Sequence, residues 1–287
     1  MGLVVFDIGG SAVKHGFWQD ETLSEQAQFK TPKTLVEMKG QMLEVIEAHR
    51  TKGVEGIGIS SPGAVNVNER RIDGISAVPY LHHFPIFDEL ESYFGLPVTI
   101  ENDANCAGIS EIELGAGKEA TNAVFIVLGT GVGGSIFINR QIYKGSHLFG
   151  GELGLLVSDQ KTTLSSVGTI VKVAKKYKEL TGKEVTGKDI FELVENKDEL
   201  AIKLLDEMYW AIAHALYNVQ VSMDPELVII GGGVSAREEL PTEIGKRLQE
   251  LLEKHLVPEI MPEIKRCHYL NDANLVGAAM NFINMNK

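Results

Sequence analysis

Leu3-Val4-Val5-Phe6-Asp7-Ile8-Gly9-Gly10, followed by Ser11 and then Ala12 to Trp18, is the stretch on which the reading of this chain turns. Leu3 to Asp7 is a short apolar run with a carboxylate at its end. Gly9-Gly10 permits a tight turn, and Ala12 to Trp18 partly alternates apolar with polar residues, so the stretch reads as strand, turn, strand. The pattern begins again further along. Ala123 to Leu128 is a second apolar run, Gly129 to Gly134 a second glycine loop, and Ser135 to Asn139 a strand that continues past Asn139-Arg140 into a hairpin.

Outward from these two signals, Leu35 to His49 carries apolar residues at helical spacing (Leu35, Met38, Met42, Leu43, Val45, Ile46) after a Thr31-Pro32 start. Gly56 to Ser60 and Val98 to Glu101 read as short strands. Ser61-Pro62-Gly63 is a turn by composition, and Ala104 to Leu114 a helix. Leu200 to Met223 is a long helix, and Leu227 to Ile230 a strand running into Gly231-Gly232-Gly233. A helical segment from about 238 to 256 follows, and the chain closes on an amphipathic helix over Asp272 to Met285.

The 287 residues suggest two domains at about 150 residues each. The expected division is a smaller N-terminal domain over 1–104 and a larger one over 105–272, with the helix at 273–287 packing back on the first. No low-complexity tether separates them. Lys and Arg number 27 against 39 Asp and Glu, a formal charge of −12, which repels a phosphate backbone and argues against nucleic-acid binding. Cys106 and Cys267 make no disulfide framework and no zinc-seating C-x-x-C pair. No apolar run approaches the roughly 18 residues of a membrane span, and MGLVVFDIGG has no basic leader. The expectation is a reduced, cytoplasmic protein without a membrane partner.

Gly129, Gly131 and Gly134 match G-x-G-x-x-G, but that fingerprint needs a helix next, and Ser135 to Ile138 reads as a strand. A dinucleotide site therefore loses its context, and no G-K-[ST] makes a P-loop. A glycine turn between strands can still hold phosphate, because glycine permits unusual φ and leaves N–H groups free for an anion. Two such turns predict a polyphosphate clamp built from Gly9, Gly10 and Ser11 with Lys14, and from Gly129, Thr130, Gly131 and Gly133. Asp7 reads either as turn chemistry or as a carboxylate holding hydrated Mg²⁺ beside phosphates; Lys14 reads either as a solvated lysine or as a phosphate contact. Gly231, Gly232 and Gly233 offer bare backbone to a flat base or sugar. Asp103, at a strand-to-helix junction, reads equally as a helix N-cap or as a general base.

In order along the chain, Asp7-Ile8-Gly9-Gly10, Ser61-Pro62-Gly63, Glu101-Asn102-Asp103-Ala104-Asn105, Gly115-Ala116-Gly117-Lys118, Leu128-Gly129-Thr130-Gly131-Val132-Gly133-Gly134, Gly150-Gly151-Glu152-Leu153-Gly154, Gly231-Gly232-Gly233-Val234 and Leu275-Val276-Gly277-Ala278-Ala279 resemble the ROK family of sugar kinases, within the actin and hexokinase-like superfamily. The resemblance covers nearly the whole chain. It implies an α/β fold of two ribonuclease-H-like domains with a cleft between them. It implies an ATP-dependent kinase that transfers the γ-phosphoryl group to a hexose or hexoside hydroxyl, the 6-hydroxyl by family habit, with Mg²⁺ held through water at Asp7. It also implies Asp103 as base, Asn102 and Glu152 on sugar hydroxyls, Ser61, Pro62 and Gly63 lining the sugar side, and a homodimer as a compatible assembly.

Two departures stand out. The family's zinc segment, C-x-C-G-x-x-G-C with a His shortly after G-G-E, is missing, since Leu155 takes the His position and Lys161 to Thr169 holds no cysteine. Zinc is therefore not expected. A Glu that helps bind sugar in the family has no match, the nearby residue being Val171. An emptier pocket on that side favours a β-glucoside over free glucose or N-acetylmannosamine, because discrimination is strong only where a buried polar group would be left unpaired. The alternatives are a catalytically silent sugar-binding relative and a sugar-sensing regulator, the latter expected to carry about 70 further residues of helix-turn-helix before the first strand. His82-His83 lies where the resembled family contacts sugar and reads at least equally as an exposed loop pair, and Tyr209, Trp210 and Tyr217 read as core at helical spacing.

Overall fold

The computed structural model describes residues 1–157 and 161–286, apart from the side chain of Ala236. The elements in chain order are β1 (Gly2–Ile8), β2 (Ala12–Gln19), β3 (Thr22–Lys30), α1 (Leu35–His49), β4 (Val54–Ser61), β5 (Ala64–Asn66), β6 (Arg71–Asp73), α2 (Ile86–Phe94), β7 (Val98–Asn102), α3 (Asp103–Glu113), β8 (Ala123–Leu128), β9 (Val132–Ile138), β10 (Gln141–Ile142), α4 (Leu164–Val167), α5 (Ile170–Thr181), α6 (Gly187–Glu195), α7 (Glu199–Met223), β11 (Leu227–Gly231), α8 (Leu240–Lys254), β12 (Glu263–Arg266) and α9 (Ala273–Met285). The chain divides into two compact units. One comprises Met1–Leu114, Gly145–Phe149 and the segment from Asn271; the other comprises Gly115–Lys144 and Gly150–Leu270.

The first unit is built on a five-stranded sheet of order β3-β2-β1-β4-β7. β1, β2 and β3 run antiparallel as a meander, while β4 and β7 join β1 in parallel. The parallel strands are covered on both faces, as such strands must be. Val4, Phe6 and Ile8 share a core with Ile57, Ile59, Val98 and Ile100 and with Met38, Met42 and Ile46 of α1 and Phe87 and Leu90 of α2. On the opposite face α9 packs on β4. The fit depends on missing side chains: a Cβ on Gly58 would lie 2.5 Å from the Ala278 carbonyl oxygen, and one on Gly277 would lie 1.7 Å from that of Cys106 in α3.

That α3–α9 crossing explains where the first unit ends. The expected break after 104 falls inside the second residue of α3, and the unit runs on through Leu114 because the whole helix packs with α9. The start of α1 also differs from expectation: Thr34, not Thr31-Pro32, caps it, accepting from the Glu37 N–H.

The second unit repeats the plan. Its sheet has order β10-β9-β8-β11-β12, with β10, β9 and β8 antiparallel and β11 and β12 in parallel succession. Val124, Ile126, Val228 and Ile230 share a core with Ile212 and Leu216 of α7 and Ile244 and Leu248 of α8, while α5 and α6 pack on α7. Local signals fix these helices: Thr169 caps α5, Thr186 and Asp189 form a capping box on α6, and Asp198 caps α7. Among the described residues no helix is long and apolar enough to cross a membrane.

Candidate active site

In the first unit the carboxyl ends of β1, β4 and β7 lie side by side, Asp7 opposite Ser60 and Ser61 opposite Asn102. This is the edge at which open α/β sheets bind ligands. Asp7 Oδ1 accepts from Ser60 Oγ at 2.8 Å and from Asn274 Nδ2 at 2.9 Å. Among the described residues its Oδ2 takes no donor, so a carboxylate oxygen is left for an outside partner. That arrangement fits a hydrated divalent cation, which binds through one or two carboxylates and keeps its water.

β7 runs directly into α3, and Asn102 is the cap. Its Oδ1 accepts from the N–H groups of Ala104 (3.0 Å) and Asn105 (3.2 Å), while its Nδ2 donates to the Gly63 carbonyl at 3.1 Å. The amide thus ties α3 to the Ser61-Pro62-Gly63 turn. Asp103 is the first residue of the helix rather than its cap, and its carboxylate, solvent-accessible, accepts from the Ala104 N–H at 2.8 Å. Crowding by protein atoms raises the Asp103 pKa above its ordinary value; the Ala104 N–H opposes this, and the negative charge of Asp7 adds to it. Behind them Glu101 is buried and accepts from the Asn102 N–H (2.8 Å) and from Asn105 Nδ2 (2.9 Å), fixing the first turn of α3 from within.

Gly63 has φ +110, and a Cβ there would lie 2.7 Å from both His82 Cε1 and Ile72 Cγ2. His82 is therefore a packed support of the turn. It is buried, with Nε2 2.7 Å from Ser76 Oγ, whereas His83 is the exposed member of the pair. Burial pushes the His82 pKa down, against the nearby Asp73 carbonyl, so the ring is neutral at neutral pH. The exposed-loop reading holds for His83 only.

The turn between β1 and β2 is held by Gly9 N donating to Ala12 O (3.0 Å), Thr31 Oγ1 to Gly9 O (2.6 Å) and Thr31 N to Ser11 O (3.2 Å). The Lys14 ammonium reaches the Asn271 carbonyl at 3.4 Å. In the second unit, Gly129 N donates to Gly131 O at 2.9 Å. Neither turn uses positive φ at its glycines; the positive-φ glycines among the motifs are Gly63 in the first unit and Gly151 and Gly232 in the second. What these glycines supply is bare backbone. Among the described residues, the N–H groups of Gly10, Ser11, Thr130 and Gly131 find no protein acceptor, which suits an anion. The second turn is also shorter than expected: Val132, Gly133 and Gly134 already belong to β9, so Gly133 is a strand residue paired with Val127.

Gly232, at φ +92, packs onto the end of β8, where a Cβ would lie 2.3 Å from the Leu128 carbonyl oxygen. This brings the β8–β9 turn beside Gly231 to Gly233. Gly233 faces open space, and a short 3₁₀ turn over Gly233–Ala236, not α8 itself, follows. Ser235 closes that turn by donating to the Gly232 carbonyl at 2.7 Å. Glu152 immediately precedes another 3₁₀ turn, Leu153–Leu155, without a side-chain capping bond to it, and Gly151 lies close against Gly134 and Ser135 of β9. Leu155 is exposed. Among the described residues no group of three or more His, Cys, Asp and Glu could hold a metal ion.

Ser60, Asn274, Glu101 and His82 support this edge without having been singled out as site residues. Asn274 stands 267 positions from the residue it holds; only its place beside the Leu275-Val276-Gly277 motif hinted at it.

Two sheets of one topology, each with a glycine turn after its first strand and a ligand-binding edge, define the class of α/β phosphotransferase folds to which hexokinase-like proteins belong. The profile of the ROK family matches residues 4–284, and this chain belongs to that family. It is 32% identical to a beta-glucoside kinase of Listeria monocytogenes serovar 1/2a, over 99% of this chain and 98% of that protein. Its fold is similar to a ROK family protein from Streptococcus pneumoniae TIGR4 in complex with sucrose, with TM-score 0.91, 31% identity and coverage of 100% and 99%. It is also similar to a ROK family glucokinase from Streptomyces griseus in complex with glucose and AMPPNP, with TM-score 0.77, 25% identity and coverage of 97% and 98%.

Proposed function

We propose that the protein is an ATP-dependent kinase that phosphorylates a primary hydroxyl of a hexose or hexoside in the cytoplasm, with a β-glucoside as the preferred acceptor. The observation that carries this is the pair of carboxylates at one sheet edge, Asp7 with an oxygen left open and the solvent-accessible Asp103 with its pKa raised by the protein atoms crowded round it and by Asp7. A carboxylate of raised pKa is a better proton acceptor at neutral pH, provided that it is ionised.

In this reading the sugar hydroxyl donates a hydrogen bond to Asp103, and the Asn102 amide and Glu152 receive neighbouring hydroxyls. Asp103 takes the proton as the oxygen attacks the γ-phosphorus, and the bond to the β-phosphate oxygen breaks to release ADP. In the first unit the free N–H groups of Gly10 and Ser11 suit a phosphate; in the second, those of Thr130 and Gly131 do, and the bare backbone of Gly231 to Gly233 suits the flat part of a nucleotide. Asp7 is the residue that would hold Mg²⁺ through water, and the ion supplies charge neutralisation on the phosphates when bound. Asp103 alone moves the proton.

The acceptor preference rests on the absence of the family's zinc segment, with exposed Leu155 and Val171 where the resemblance expects polar groups. ADP release measured with Mg·ATP and a panel of glucose, N-acetylmannosamine and cellobiose tests both levels. The expected result is turnover with at least one sugar and kcat/KM highest for cellobiose. No turnover on any sugar rejects the kinase reading, and a preference above about tenfold for either free monosaccharide, roughly 1.4 kcal/mol, rejects the open pocket.

A further inference from the structure

A cavity of about 590 Å³ lies within the second unit between α5 and α7, and none of its lining residues belongs to the glycine turns or the carboxylate cluster. Its volume is within the range of sites for small metabolites. Two features of its wall suit a ligand. Trp210 of α7 is half-buried and lines the cavity, its ring 5.6 Å from that of His214. The core expectation holds in part: Tyr209 is buried, and Trp210 and Tyr217 are partly buried against the same core, which leaves one part of the Trp210 ring open to the cavity.

The second feature is an unmatched cation. The acidic groups of the cavity wall are already paired: Glu207 with Lys176 at 2.8 Å, Asp206 with Arg247 at 2.5 Å, and Glu179 with Lys175 at 3.8 Å. Among the described residues Lys172 has no carboxylate partner, and it faces the same cavity as Trp210 and the Ser166 hydroxyl. An uncompensated ammonium, an aromatic face and a hydroxyl recognise an anion attached to a flat-faced polar ring.

We propose that this cavity is a second ligand site, for a phosphate monoester of a sugar. The phosphate meets Lys172, and the C–H face of the ring lies on Trp210. The choice of a sugar ester rests on the proposed kinase reading, because it is the class of product that reaction makes; the chemistry of the cavity does not. Ser166 lines the cavity, and its neighbour Ser165 holds the Val132 N–H at 3.0 Å directly after the Gly129 to Gly131 turn. The cavity wall thus adjoins, through α4, the turn assigned to the nucleotide phosphates.

Fluorescence tests this cleanly. The chain has two tryptophans, and Trp18 is 2% exposed, so a ligand at the cavity changes the emission of Trp210. The titration uses the full chain with glucose 6-phosphate, glucose, inorganic phosphate and AMP as separate probes. The expected result is a saturable change with glucose 6-phosphate that is absent in W210F and at least about tenfold weaker in affinity in K172A, with glucose and phosphate at least about tenfold weaker than the ester. No response to glucose 6-phosphate, an undiminished affinity in K172A, or tighter binding of AMP overturns the proposal. So does sedimentation showing a stable dimer in which acrylamide no longer reaches Trp210, since a second copy then fills the cavity. None of these readouts requires turnover, so the cavity and the kinase reading fail separately.

Discussion

The two units use one sheet topology for opposite purposes. Counted back from the first glycine of each turn, Asp7 of the first unit corresponds to Val127 of the second. In register with the neighbouring parallel strand, Asp7 faces Ser60, whereas Val127 faces Gly231. The residues that follow on those neighbours are Ser61 in one case and Gly232 in the other. One sheet edge therefore presents carboxylate, hydroxyl and amide side chains, and the other presents peptide backbone. The first arrangement can accept and hold protons. The second can only approach closely and donate N–H groups, so proton transfer is assigned to the first copy of the fold alone, while N–H groups free for phosphate occur in both.

Making the first edge resemble the second should abolish that division. Asp7→Val removes the open carboxylate oxygen and should lower kcat by at least about a hundredfold, the loss typical of removing one charge-stabilising group, while far-UV circular dichroism is retained. A turnover within tenfold of wild type would mean that Asp7 is turn chemistry only. The converse change affects stability. In Gly232→Ala the new Cβ meets the Leu128 backbone at a φ of +92, and neither neighbour is a flexible side-chain end, so a cost of about 1–3 kcal/mol is expected, read as a lower denaturation midpoint. An unchanged midpoint would show that the close approach is not needed.

A smaller effect is expected at Ser60. Ser60→Ala removes the 2.8 Å donor to Asp7 and should cost about 1 kcal/mol, read in urea. Loss of the donor should also raise the Mg²⁺ concentration required for half-maximal rate several-fold. If stability falls and the Mg²⁺ requirement does not move, Ser60 is a structural partner and not a positioning residue.

The repeat on which this comparison depends was legible from the sequence because both first strands are buried on two faces and read as continuous apolar runs closed by glycine. Helices α1, α3, α7 and α9 were legible from apolar spacing and came within a residue or two of their observed ends. β3 was not. Its sequence, Thr22-Leu23-Ser24-Glu25-Gln26-Ala27-Gln28-Phe29-Lys30, is an exposed edge strand with almost no apolar face, and only pairing with β2 specifies it. The small hairpin of β5 and β6 and the helices α4, α5 and α6 were likewise missed, being short or carried on a few capping residues.

At the candidate site, motif order and the family resemblance singled out Asp7, Asn102 and Asp103 with a role for each, but the residues alone left Asp103 equally a helix cap or a base. The coordinates give the cap to Asn102, whose amide accepts from two helix N–H groups, and so leave Asp103 for an outside proton. Partners far along the chain, such as Asn274 on Asp7, follow no spacing rule, because the packing of α9 on β1 and β4 creates them.

The central claim is that Asp103 is the base, and Asp103→Asn tests it most directly when rate and stability are measured on the same samples. Crowding by protein atoms and the charge of Asp7 raise the Asp103 pKa above its ordinary value, about 4 for an unperturbed Asp. The folded chain thus binds this proton more tightly than the unfolded one, so this group favours folding on acidification and loses that contribution as pH rises through its folded pKa. Asn is neutral and keeps an oxygen for the Ala104 N–H. The account predicts that at neutral pH the variant loses at least about a hundredfold in kcat for ADP release with sugar and Mg·ATP, with a Tm equal to or above that of wild type, and that the acid limb of the wild-type kcat/KM profile disappears from its residual activity. Near-normal turnover, or a lower Tm accompanying the loss of activity, would contradict it.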